Sequence, residues 1–203
     1  MAENRPDGVP DDMPIPNVPI HWQIIADVAE EHDINVTWLA ESLEEIHDHV
    51  AERARDLTER YTEELGDEAL VFQADIQQFL YVDADEWAEI GDQLALDEAV
   101  ISAAKAVHDD QCSRIVESVD EAEWVPRLET NDMLVMATPP IQDWREAGLS
   151  LRQALVQTLR TKGDTQERIG QKMGIATGTV KSYCSRIDRK IAQARQLVTL
   201  ADR

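Results

Sequence analysis

Near its C-terminus the chain sets hydroxyl, ammonium and guanidinium groups at helical spacing: Lys181, Ser182, Ser185, Arg186 and Arg189. At about 100° per residue, with Val180 at zero, Cys184, Ile187 and Ile191 fall within about 40° of it and form an apolar stripe. Ser182, Ser185, Arg186 and Arg189 lie on the opposite side, between about 140° and 240°, with Lys181 flanking. A helix that is apolar behind and cationic in front suits the major groove of a duplex. Arginine can bond both acceptors of guanine, and small hydroxyls let the helix approach the groove floor. The helix starts near Thr165 and Thr179 are expected phosphate anchors, because a helix N-terminus presents unpaired N–H groups and a positive dipole end.

Residues 149–195, LSLRQALVQTLRTKGDTQERIGQKMGIATGTVKSYCSRIDRKIAQAR, predict three helices that would aim this face. Ser150 is a cap for the first, which carries Leu151, Leu155, Val156 and Leu159 and ends at Gly163. Asp164 or Thr165 caps the second, which turns Ile169 and Met173 inward. Gly174 makes the turn, Ile175 plugs it, and the basic helix begins near Thr177. A short helix, a glycine turn and a longer basic helix make a helix-turn-helix arrangement.

Charge is divided the same way. The 203 residues carry a net charge of −22, but residues 1–148 hold −29 and residues 149–203 hold +7. Such asymmetry places an electrostatic footprint for nucleic acid in the C-terminal quarter. The acids upstream are spread evenly and lysine is scarce, a composition that suits a solvent near about 1 M salt, where charge repulsion is screened within roughly 3 Å.

The segments LSLRQ, GDTQERIG and MGIATGTVKS closely resemble the helix-turn-helix domain shared by LuxR/FixJ-type regulators and region four of bacterial sigma factors. That signature runs L-[ST]-x-R-[EQ], then G-x-[ST]-x-x-E-I-A, then L-G-I-S-x-G-T-V-K-[ST], and the resemblance covers about a quarter of the chain. It implies duplex DNA as partner, with Thr179, Lys181, Ser182, Ser185 and Arg186 at the positions where the family contacts DNA; of these, Lys181, Ser182, Ser185 and Arg186 are expected to read bases. Thr165, Lys172, Thr179, Arg189 and Lys190 are assigned to phosphate. Three positions depart from the pattern. Gly170 replaces alanine at the helix crossing, where it still fits. Ala176 replaces the serine cap, a duty expected to pass to Thr177. Arg168 replaces glutamate and adds positive charge. The chain as a whole resembles halophilic archaeal DNA-binding regulators of uncharacterised mechanism.

Upstream, residues 1–19 hold five of the eight prolines and no hydrophobic periodicity, so a disordered tail is expected. Ile24, Ile25 and Val28 predict a short helix; Leu39, Leu43, Ile46, Val50, Leu57 and Tyr61 predict a long one. Arg53 and Arg60 interrupt the seam of the long helix, which favours packing within one protomer over a coiled coil. Leu70–Leu80 is the densest apolar segment. Trp87, Ile90 and Leu94 form one short helix, and Ile101, Ala104, His108, Cys112 and Ile115 another. With nine acids and only Lys105 in residues 83–110, that pair reads as a scaffold hairpin and not a DNA reader. Residues 133–136 are ambiguous between strand and helix, and Pro139 marks a boundary.

The resulting expectation is an all-α protein. It comprises the tail at 1–19, an acidic helical domain at 20–118 for dimerisation or partner binding, a linker at 119–140, and a three-helix domain at 141–203. Glu44 and His47 share one face of the long helix, but the second Glu-x-x-His that a di-iron bundle needs is missing, so His47–His49 reads as a solvated face. Cys112 and Cys184 lie too far apart in sequence for a zinc module, and Cys184 falls on the core stripe. The five tryptophans are scattered and read as structural. No phosphate loop, nucleophile elbow or triad spacing occurs, so neither catalysis nor a cofactor is expected. No apolar run of 18 residues and no signal segment occurs, so a cytoplasmic protein is expected. The most economical reading is a homodimeric transcriptional regulator, with the transcription machinery as a further expected contact. Two other functions suit the same residues: an adaptor that uses the basic face for a protein partner, and a viral DNA-packaging small subunit.

Overall fold

A computed structural model describes residues 17–66, 69–73, 75–118 and 132–201. It divides into two compact units at Thr138/Pro139.

The first unit contains α1 (Trp22–Glu31), α2 (Val36–Leu65), β1 (Leu70–Gln73), β2 (Gln77–Val82), α3 (Ala84–Leu94), α4 (Glu98–Ser118) and β3 (Asp132–Ala137). Side chains that trap free N–H groups start the helices. Asn35 accepts from the Trp38 amide at 3.1 Å, and Asp83 accepts from the Glu86 amide at 2.9 Å. The stripe Leu39, Leu43, Ile46, Val50, Leu57 and Tyr61 is buried along α2. The expected tail lies outside the described residues up to residue 16, while Val18, Pro19 and Ile20 are buried. Gln77 donates to the Pro19 carbonyl and ties this segment to the sheet.

The all-α expectation is corrected by a three-stranded antiparallel sheet in the order β1-β2-β3. Every residue of β2 is buried, including Gln77 and Gln78, so the strand lacks the polar alternation that marks a half-exposed one. Its partner β3 pairs Phe79 with Val135 and Tyr81 with Met133 across a long separation in sequence. Residues 132–137 of the stretch expected to be a linker are thus a buried strand, and residues 119–131, with Trp124, lie outside the described residues.

Helix α4 closes the outer edge of β3 with side chains. The Val135 amide donates to His108 Nδ1 at 2.8 Å, and the Met133 amide donates to the Asp109 carboxylate. These groups take the place of a further strand, so the edge offers no row of free donors. An imidazole that accepts at Nδ1 must be neutral with its proton on Nε2. Burial, and His47 beside it, hold His108 well below the usual histidine range. His47 stacks on His108 at 5.2 Å between ring centroids, and Trp87 meets it edge-on at 5.0 Å. His47 is therefore a core residue, a correction of the solvated-face expectation. It faces inward because α3 and α4 cover that side of α2.

The arginines in the α2 seam turn toward Glu86 of α3, whose side chain is fully buried. Arg53 lies 3.4 Å from one carboxylate oxygen, and Arg60 bonds the other while resting over the Tyr61 ring. Two cations from one helix thus neutralise one buried anion from the next.

The second unit holds α5 (Pro139–Glu146), α6 (Leu151–Thr161), α7 (Gln166–Met173) and α8 (Thr177–Ala201). This corrects the three-helix expectation, because α5 packs on α6 through buried Ile141. Among the described residues, no helix is long and apolar enough to cross a membrane.

Two stability predictions follow from the first unit. Glu86→Ala removes the anion shared by Arg53 and Arg60; because both guanidinium groups are partly exposed and Arg53 keeps Glu89, the expected cost is about 1–2 kcal/mol, read as a loss of about 2–8 °C in thermal melting. For Asp109, burial pushes the carboxyl up to about 6 despite the Met133 bond. A carboxyl raised on folding takes up protons as the chain folds, so its contribution to stability falls as pH rises from its ordinary value toward about 6. Asp109→Asn, which keeps an acceptor for Met133, is expected to raise the melting temperature at neutral pH, with the gain vanishing below about pH 4. A constant difference across that interval would contradict this account.

Candidate nucleic-acid interface

The second unit is built from local signals that its sequence states openly. At the start of α6, Ser150 and Gln153 cap each other reciprocally, at 3.4 and 3.3 Å. Thr165 caps α7 by accepting from the Arg168 amide at 3.3 Å. Gly174 ends α7 at φ +61°, a conformation that favours glycine. Ile175 is buried in the turn, and its amide returns to the Gly170 carbonyl at 2.9 Å.

Gly170 sets how closely the two helices meet. A Cβ there would lie 2.7 Å from the Ile175 carbonyl oxygen, closer than any real contact. Glycine fits at this crossing as expected, whereas the alanine of the resembled pattern would require a backbone shift here. Helix α8 starts at Thr177, with the Ala176 carbonyl accepting from Thr179 and Val180, so Thr177 already lies inside the first turn instead of capping it.

Along α8, Val180, Cys184 and Ile187 are buried and Ile191 is half-buried, as the wheel requires. Lys181, Ser182, Ser185, Arg186, Arg189 and Lys190 are all exposed. Among the described residues no ion pair engages Lys181, Arg186 or Arg189. The remaining candidates have other duties. The Ser182 hydroxyl donates back to the Gly178 carbonyl at 3.1 Å. Thr179 is half-buried, with its hydroxyl oxygen enclosed. Lys190 donates to the Gly148 carbonyl at 2.6 Å, which ties α8 to the turn after α5. Lys172 is bound by Asp164 at 2.8 Å.

Two features escaped the sequence reading. Helix α8 runs on to Ala201, leaving Leu197, Val198 and Leu200 exposed at its end. The missed signal is negative, since no glycine or proline follows Gly178. The other is an ion pair across the bundle, Arg160 to Asp188 at 2.7 Å, which joins α6 to the middle of α8 and keeps the guanidinium charged.

Because the α7–α8 crossing depends on the missing Cβ, Gly170→Ala is expected to destabilise this unit by about 1 kcal/mol. That figure sets overpacking against the better helix propensity of alanine. Thermal melting followed by helix signal checks it; a stabilised variant would mean that the crossing is looser than the geometry states.

Comparison with known families agrees with the division into units. Residues 147–202 match the model of bacterial regulatory proteins, luxR family, so the α6–α8 bundle is a luxR-type helix-turn-helix, a DNA-binding and non-catalytic kind of module. Residues 18–138 match the model of a domain of unknown function, DUF8048. Helix α5 is covered by neither match. No curated protein and no solved structure matches the chain. With more than half of its 203 residues matched, the chain belongs to the DUF8048 family and carries a luxR-family module at its C-terminus.

Proposed function

We propose that the protein is a transcriptional regulator that reads duplex DNA with α8 in the major groove. The observation that carries this reading is the exposed cationic face of α8, backed by buried Val180, Cys184 and Ile187, inside a luxR-type module. Lys181, Ser182, Ser185 and Arg186 contact base edges, and Thr165, Thr179 and Arg189 contact phosphate. Lys190 and Lys172 contribute to phosphate binding only by leaving their present partners, Gly148 and Asp164.

The working form is a homodimer. One such module covers only about 600–1,000 Å² of DNA-facing surface, too little for strong binding alone. The apolar end of α8, with Leu197, Val198 and Leu200 exposed, supports a protein contact in this unit. The acidic first unit supplies dimerisation or partner contacts, and contact with the transcription machinery fits the same surfaces. In concentrated salt, counterion release contributes little, so base contacts and dimerisation carry the affinity.

The test is selection of duplexes from a random pool, with wild type and Arg186→Ala in parallel. Wild type is expected to enrich two related half-sites. Arg186→Ala is expected to lose about 1–3 kcal/mol and to relax specificity at one position of each half-site. If the folded wild type enriches no sequence, the reading gives way to an adaptor whose basic face binds protein.

A further inference from the structure

The cations of the second unit are not equally available. Among the described residues, those on α8 that face outward are free of carboxylates, but those on α7 are held. Asp164, the residue before the α7 cap, places one carboxylate oxygen 3.3 Å from Arg168 Nε and the other 2.8 Å from Lys172 Nζ. Its side chain is only 11 % exposed, so the carboxylate is poorly screened by salt. The capping of α7 does not require this carboxylate, because the Thr165 hydroxyl accepts from the Arg168 amide.

We infer that Asp164 is a specificity-setting positioning residue, whose carboxylate occupies Arg168 and Lys172 in place of DNA phosphate and so keeps sequence-independent binding low. The inference rests on the DNA reading proposed above. In a helix-turn-helix the helix before the reader crosses the sugar–phosphate backbone. Arg168 and Lys172 stand one turn apart on that helix, at a spacing that lets one anion hold both. A DNA phosphate there must share the cations with Asp164 or displace it, and the carboxylate itself repels the phosphate. Lys181 and Arg186 meet no such competition. The arrangement weakens the contact that every sequence offers and leaves intact the contacts that depend on base identity.

The experiment uses the full chain and two probes: a duplex of arbitrary sequence and the duplex selected by wild type. Binding is followed by fluorescence anisotropy from about 0.1 to about 0.5 M KCl. Asp164→Asn is expected to bind the arbitrary duplex about three- to tenfold more tightly at the lowest salt, with a log–log salt slope steeper by about 1–2. The preference for the selected duplex falls accordingly. Replacing Arg168 and Lys172 by alanine in the Asp164→Asn background returns the slope to the wild-type value. In the wild-type background the same pair of alanines is expected to change the slope little, which provides a test even if Asp164→Asn folds poorly; thermal melting monitors folding. An unchanged slope in folded Asp164→Asn overturns the inference while leaving the DNA reading in place. So does a wild-type-background pair of alanines that flattens the slope by about 2. If neither wild type nor Asp164→Asn binds either duplex, the DNA reading itself falls and this inference falls with it.

Discussion

The orientation of α8 rests on the absence of one carbon atom. At residue 170 a side chain would begin 2.7 Å from the Ile175 carbonyl oxygen, so α7 can approach the turn this closely only with glycine. That approach lets the Ile175 amide bond the Gly170 carbonyl and seats Ile175 in the core. With the turn fixed, Val180, Cys184 and Ile187 face inward, and the cationic residues of α8 must face out. Arg160–Asp188 and Lys190–Gly148 then hold the middle of α8 to α6 and to the turn after α5. The exposed face is a consequence of how the helix is clamped behind.

The first unit solves a different problem, the burial of polar groups beside a small sheet. Helix α4 does double duty there. Its apolar residues enter the core, while His108 and Asp109 accept from alternate amides of β3. Neutral His108, stacked on His47 and met edge-on by Trp87, is the form this geometry demands. Glu86 is equally constrained, since a buried carboxylate is tolerable only beside Arg53 and Arg60. The arginines that interrupt the apolar seam of α2 are thus not surface residues that happen to lie near a core. They are the counter-charge that allows α3 to pack.

Much of the helical content was legible residue by residue. The stripe from Leu39 to Tyr61 is buried along α2 as its spacing requires, and the caps at Ser150 and Thr165 are in place. The sheet was not legible, because β2 is buried on both faces and its apolar run has no period of its own. His47 was misread for a related reason: it is a polar residue at the margin of the stripe, beside Leu43, Ile46 and Val50, and only the elements packed across it show that this margin is interior. The luxR-type signature located the reading helix, but it carried no sign that Lys172 and Lys190 were already engaged.

What the sequence by itself determined is what depends on near neighbours. Helix periods, caps, the glycine turn, the basic face of α8 and the charge of each unit all follow from residues within a few turns of one another. What only the tertiary structure decided is what depends on residues distant along the chain: the pairing of β2 with β3, the sealing of the β3 edge by α4, and the pairing of Glu86 with two arginines. Hydrophobic period reports that a residue is buried but not against what. Partners brought together by folding are set by three-dimensional closeness, which no local pattern encodes.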